Sequence, residues 1–256
     1  MKTKETIIHI ADWLSEYADI SKTKGFVVGI SGGIDSAVTS TLCALTGKDV
    51  ICLNMPIHQH KAEFDRSSEH IKWLCEKFPN VSASTVDLTD TFEMYSKSIP
   101  EDIQDHLSMA NARARLRMTS LYSYAGHYNM LVAGTGNKIE DFGIGFYTKY
   151  GDGGVDLSPI ADLLKSEVYA LAAEIGIVEN IQKAAPTDGL WDDGRSDEDQ
   201  IGASYNELEW AMNWKGNENN LSERELIVLG IYRQKNKANQ HKMNPIPVCE
   251  IPRELK

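Results

Sequence analysis

The sequence is short of positive charge. Lys and Arg number 26 against 37 Asp and Glu, a formal net charge of −11 over 256 residues. Binding to a phosphate backbone rewards clustered Lys and Arg, and no basic run occurs, so nucleic acid is not an expected partner. Cysteine is scarce too. Cys43, Cys52, Cys75 and Cys249 form no C-x-x-C pair, which removes the usual spacing for structural zinc or a dithiol redox centre and fits a reducing compartment. Cys43, Cys52 and Cys75 lie in apolar stretches and read as small core residues. No apolar run reaches the roughly 18 residues of a membrane helix, and the first twenty residues carry charges where a signal peptide has its apolar segment. The expectation is a cytoplasmic protein without membrane contact. The lysine of the G-x-x-x-x-G-K-[ST] phosphate loop is also missing, which argues against γ-phosphoryl transfer.

What is present is ordinary for a globular chain: 42% apolar and 25% charged residues, with enough length for a sizeable core. Ile7, Ile10, Ala11, Leu14 and Ala18 recur at helical spacing and predict an amphipathic first helix. Short apolar runs then alternate with helical patterns. Strands are predicted at 26–30, 49–56, 81–88 and 129–135, and helices at 61–78 and 103–127. Phe64, Ile71, Leu74, Cys75 and Phe78 line one side of the former helix. Strands separated by helices imply βαβ units, so the expected class is α/β: a doubly wound, Rossmann-like parallel sheet with helices on both faces. Residues 134–160 carry seven glycines and read as a long inserted substrate loop. Helices follow at 163–175, about 197–214 and 222–238, with a Pro-rich tail. One domain spanning 1–256 is expected.

Ser31-Gly-Gly-Ile-Asp-Ser36 carries the strongest chemical signal. A strand delivers the chain into a glycine turn and a helix starts directly after it. Such a turn lets backbone amides meet a phosphate at close range, and the helix start favours an anion. Asp35 is out of place beside phosphate unless it holds a Mg²⁺ that bridges to it. The bland alternative is a tight strand-to-helix turn with a capped helix.

S-G-G-x-D-S after an apolar strand resembles the pyrophosphate-binding loop of the N-type ATP pyrophosphatases, which cleave ATP between the α and β phosphates. Further blocks narrow this resemblance to the ammonia-dependent NAD synthetases. They are NARARLRM at 111–118, GTGNKIE at 134–140, FYTKYGDGGVDLSPI at 146–160, LLKSEV at 163–168, APTDGL at 185–190, SDEDQIG at 196–202, and HK at 241–242. The order and spacing run over nearly the whole chain, and T-K-Y-G-D-G-G is far more specific than the first motif.

The resemblance implies ATP contacts from Gly29, Ile30, Ser31, Gly32, Gly33, Ile34, Asp35, Ser36, Thr135, Lys165 and Thr187, with Mg²⁺ held by Asp35 and Glu140. It implies deamido-NAD contacts from Arg115, Lys149, Asp156, His241 and Lys242, and places Asp152 near the incoming ammonia. Arg113 and Arg117 read as solvated-face residues, and a late His-Lys pair taken by itself reads as surface. The implied partners are ATP, deamido-NAD, ammonia and a second copy of the chain. The implied reaction makes NAD, AMP and pyrophosphate through an acyl-adenylate, with residues 136–160 closing over it. Two departures stand out. Glu140 and Phe146 are separated by one residue more than in the commonest members, and Asn54 replaces an arginine found in some. Two other readings remain: a different amidating or thiolating ATP pyrophosphatase, such as a GMP synthetase ATP subunit, and a non-catalytic nucleotide-binding module on the same fold.

Overall fold

A computed structural model of the chain describes residues 1–186 and 196–256. Helix α1 spans Thr3–Ser21 and is followed by β1 (Gly25–Gly29), α2 (Ile34–Leu45), β2 (Asp49–Asn54), α3 (Lys61–Lys77) and β3 (Val81–Thr85). Next come α4 (Thr89–Ser98), α5 (His106–Tyr128) and the two-residue strand β4 (Leu131–Val132). The remainder is helical: α6 (Lys165–Ile175), α7 (Glu179–Gln182), α8 (Asp197–Ile201), α9 (Tyr205–Asn213), α10 (Glu223–Ala238) and α11 (Gln240–Met243).

The four strands form one sheet in the order β3-β2-β1-β4, and every pairing is parallel. Alternate β1 side chains serve different cores, as the two-residue strand period requires. Phe26 and Val28 pack with α1, α2 and α6 through Leu14, Leu42 and Leu171. Val27 joins Ile51, Leu53 and α5 on the other face through Ala125, Leu116 and Leu121. A third core joins α9 and α10 to Ile139 and Ile144. The chain runs outward from β1 to β3 and then returns to place β4 on the other side of β1. Ligands of open α/β sheets gather beyond the strand ends at such a reversal. Ser31–Ser36 follows β1, and Thr135 follows β4.

Several elements differ from the sequence reading, each for a local reason. Helix α4 was not expected: none of its residues is fully buried, and its short apolar side reaches the second core through Phe92. Strand β4 is shorter than expected: beyond Val132 the chain leaves the sheet, and Ala133 bridges to Leu157 instead. The helix expected over 197–214 is two helices, because Ser204 and Glu207 form a reciprocal cap that starts α9. Cys75 is exposed whereas Cys43 and Cys52 are buried, which corrects its assignment to the core.

The glycine-rich stretch is not an open loop. Ile139–Ile144 forms a π-helical turn, and Asn137, Ile139 and Ile144 are fully buried. A π turn takes up one residue more than an α turn, which accommodates the extra residue between Glu140 and Phe146. Among the described residues, no helix is long and apolar enough to cross a membrane.

Candidate active site at the sheet's carboxyl edge

The Ser31–Ser36 segment folds as a nest. Ser36 Oγ donates to the Gly33 carbonyl (3.0 Å) and accepts from the Ser31 amide, and the Gly33 amide donates to Ser31 Oγ. Gly32 sits at φ +85°, and a Cβ there would lie 2.7 Å from the Glu63 carbonyl oxygen. Left-handed backbone and close approach of α3 together require glycine at that position. The cap of α2 is Gly33, which offers no side chain to the first-turn amides. Those amides stay available to an anion.

Three distant segments converge beside this nest. Lys165, at the start of α6, donates to Asp35 Oδ2 at 2.5 Å and to Glu140 Oε1 at 3.1 Å. Asn137 donates to the other Asp35 oxygen at 3.2 Å, and the Tyr205 hydroxyl donates to Glu140 Oε1 at 2.5 Å. Burial raises the Asp35 carboxyl above its ordinary value, with the Lys165 charge pulling the other way. Burial disfavours the Lys165 charge, but Asp35 and Glu140 more than offset it and hold the amine protonated. The 2.5 Å contact is a charge-assisted bond, so the ionised arrangement is the one that holds both carboxylates. Asp35 and Glu140 thus aim at a single point next to a phosphate cradle. That donor set suits Mg²⁺, which takes one or two carboxylates and completes its shell with phosphate and water. Lys165 lies at that point here, and among the described residues no cluster of three or more His, Cys, Asp or Glu is arranged for a metal.

A cavity of about 730 Å³ opens from the nest across the sheet edge. Gly29, Ile30, Ser31, Asp35, Ser36, Thr135 and Glu140 line one end. Arg115, Lys149, Asp152, His241 and Lys242 line the other. Asp152 is open to the cavity but closely surrounded by protein, and this desolvation raises its carboxyl above the ordinary range; one oxygen accepts from the Thr148 amide at 3.0 Å. Lys149 donates to the His241 carbonyl. Lys242 donates to the carbonyls of Gly145 (2.9 Å) and Tyr147 (2.8 Å). Arg115 reaches the Lys149 carbonyl at 3.3 Å.

Not every expected residue joins them. Gly32, Gly33, Ile34 and Lys165 line a smaller cleft on the outer side of the nest. Asp156 lies away from both: its two oxygens accept from Tyr122 (3.0 Å) and the Val132 amide (2.8 Å), and it borders a separate depression beside α1. Thr187 lies outside the described residues. Arg117 corrects its solvated-face reading: it donates to the Met55 carbonyl at 2.9 Å and lines the large cavity. Arg113 is buried. Asn137 and Tyr205 were missed because each acts through another residue. Asp141 was missed as well. Desolvation, with the charges of Glu140 and Asp152 next in size, pushes it up to about 8.

Comparison with known proteins agrees with this geometry. A family model described as NAD synthase matches residues 6–245. The NH3-dependent NAD+ synthetase of Mycoplasma genitalium is 39% identical over 92% of this chain and 91% of that protein. Among solved structures, the NMN synthetase of Francisella tularensis shares 31% identity and a TM-score of 0.87, covering 99% of each chain. The NH3-dependent NAD synthetase of Campylobacter jejuni shares 27% identity and a TM-score of 0.80 over 98% of this chain and all of that one. With the matched residues running through both ends of the cavity and including both Asp35 and Glu140, the chain belongs to the NAD synthase family.

Proposed function

We propose that the protein joins ammonia to the nicotinate carboxylate of deamido-NAD at the expense of ATP, giving NAD, AMP and pyrophosphate. A carboxylate oxygen attacks the α-phosphorus, the bond to the bridging oxygen breaks, and pyrophosphate leaves on the nest. Ammonia then adds to the acyl carbon of the adenylate, loses a proton, and AMP departs. The observation that carries this reading is one continuous cavity with a phosphate cradle at one end and cations at the other, and Glu140 and Asp152 along its wall.

The amides of the nest and Lys165 orient the β and γ phosphates. Asp35 and Glu140 would hold Mg²⁺, which would supply positive charge to the phosphates. Tyr205 and Asn137 fix the rotamers of those carboxylates. Asp152 takes the proton released from the nitrogen nucleophile, a task for which a raised carboxyl pKa is the favourable direction. Arg115, Lys149, His241 and Lys242 meet the nucleotide of the amidated substrate. The exposed side chains of Ile8, Trp13, Tyr17 and Ile20 on α1 support assembly with a second copy.

A second reading has specific support. The structural likeness to a protein named NMN synthetase favours the mononucleotide acid as substrate, amidated by the same chemistry. Initial rates with deamido-NAD and with nicotinate mononucleotide, under ATP, Mg²⁺ and ammonium, separate the two. AMP and pyrophosphate in equal amounts to the amide are expected with the preferred substrate; ADP and orthophosphate would sink both readings. Ammonium is expected to support the purified chain and glutamine is not. Efficient use of ammonia-free glutamine, lost on cysteine alkylation, would overturn that part alone.

A further inference from the structure

The outer cleft behind the nest contains a cation that the reaction described above does not use. Arg66, on α3, lines it together with Ser31, Gly32, Gly33, Asp35 and Lys165. We infer that Arg66 binds the leaving pyrophosphate and neutralises the charge that develops on it. This rests on the pyrophosphate-forming reading and adds a residue to it.

The first support is position. Helix α3 packs directly against the glycine turn: a Cβ on Gly32 would lie 3.4 Å from Arg66 Cβ. Arg66 Nε donates to the Gly32 carbonyl at 3.3 Å. The guanidinium is therefore anchored by one of its five N–H bonds at the rim of the cradle. Among the described residues, its terminal nitrogens have no hydrogen-bond acceptor and no carboxylate within ion-pair distance. A planar fork with unspent donors suits bidentate binding of a phosphate.

The second support is charge. Lys165 is the other cation in this cleft, and it is already shared by Asp35 and Glu140 at 2.5 and 3.1 Å. Those three groups sum to one negative charge. Glu63, buried on the same helix and bonded by Gln59 at 2.8 Å, adds another acidic neighbour to the cleft wall. Asp197 lines the cleft as well. A Mg²⁺ held by Asp35 and Glu140 would offset part of this negative charge, and pyrophosphate leaving into the cleft still adds more than the Lys165 cluster and the ion would balance. Arg66 is the cation in the cleft that, among the described residues, has no acidic partner. Its role in holding the Gly32 carbonyl is structural, but it uses only Nε.

The test compares the full-length wild type with Arg66→Ala and Arg66→Lys. The readout is the inhibition constant of inorganic pyrophosphate against ATP, with AMP as a second inhibitor. Losing a charge-assisted contact should weaken pyrophosphate roughly tenfold or more in Arg66→Ala. AMP inhibition should be unchanged, and Arg66→Lys should recover part of the loss because the point charge returns without the fork. Unchanged pyrophosphate inhibition in Arg66→Ala would overturn the inference. So would equal weakening of pyrophosphate and AMP, or a lowered thermal midpoint in both variants with no selective loss, since a distorted nest would explain either result. Absence of pyrophosphate from the wild-type products would instead remove the reading on which the inference stands.

Discussion

The two ends of the cavity are built in opposite ways. The phosphate end comes from a contiguous stretch, Ser31–Ser36, whose internal hydrogen bonds shape it before anything else arrives. Its lysine is tied to two carboxylates. The substrate end is assembled from α5, the 146–152 segment and α11. Its Lys149, Lys242 and Arg115 donate to backbone carbonyls and, among the described residues, make no ion pair. A carbonyl orients a cation without cancelling its charge. The charged groups at the phosphate end are thus paired with one another and leave one net negative charge. The other end holds three cations that make no ion pair among the described residues, with Asp152 the carboxylate nearby, on a chain whose net charge is −11.

The sharpest break of this contrast is at the carboxylates. Asp35→Asn keeps the shape and removes the charge, and should lower kcat by about 10³-fold or more, as loss of several kcal/mol of transition-state stabilisation implies. The fold should persist by circular dichroism. Near-wild-type turnover would mean that Asp35 does not hold the metal.

At the other end the expected effect is on binding. Lys242→Ala should raise KM for the nucleotide acid by roughly tenfold while kcat changes less, because a removed ground-state contact costs about 1.5–3 kcal/mol. The effect should shrink as salt rises. A pure kcat loss would show that Lys242 serves chemistry and not substrate binding.

The packing of the glycine-rich segment predicts a smaller effect on stability. A Cβ on Gly136 would lie 2.1 Å from an Asp141 carboxylate oxygen. Gly136→Ala should therefore cost about 1–3 kcal/mol in denaturant unfolding, the usual range for overpacking. No loss would mean that the Asp141 side chain swings clear.

Two buried groups near the nest should also answer pH in opposite senses. His70 sits behind the nest, bonded to Ser40 of α2 at 3.0 Å and stacked on Trp73. Burial lowers it to about 4 from an ordinary 6.5. The unfolded chain then binds more protons between those values, so stability falls as pH drops from 6.5 towards 4, by on the order of 2 kcal/mol. Asp141 is shifted upward to about 8. The folded state there binds more protons, and stability falls as pH rises from about 4 towards 8, over a wider window than for His70. Unfolding curves across pH should show the acid slope reduced in His70→Gln and the alkaline slope reduced in Asp141→Asn. Parallel shifts without slope changes would overturn both assignments.

Contiguity also governs how much the sequence revealed. The alternation of strands and helices placed the parallel sheet, and Ser31–Ser36 located the phosphate cradle at its edge. Lys149, His241 and Lys242 were legible only by resemblance, because a lone lysine or a late His-Lys pair has no spacing that separates it from surface. Arg113 and Arg117 were misread as solvated because nothing in the helical pattern tells which α5 face meets Met55 and Phe92. Asp156 matched the pattern of a substrate contact, yet its oxygens are engaged by Tyr122 and Val132.

The sequence by itself determined what depends on near neighbours in the chain: most of the element types, the glycine turn of the nest with Gly32 at φ +85°, and the family. Tertiary structure decided what depends on segments far apart. It put Lys165 between Asp35 and Glu140, set Tyr205 on Glu140, and brought α3 against the glycine turn so that Arg66 reaches the cradle rim. Local propensity acts through torsions and bonds a few residues long, whereas charge balance in a buried site is a sum over groups that only packing brings within 4 Å of one another.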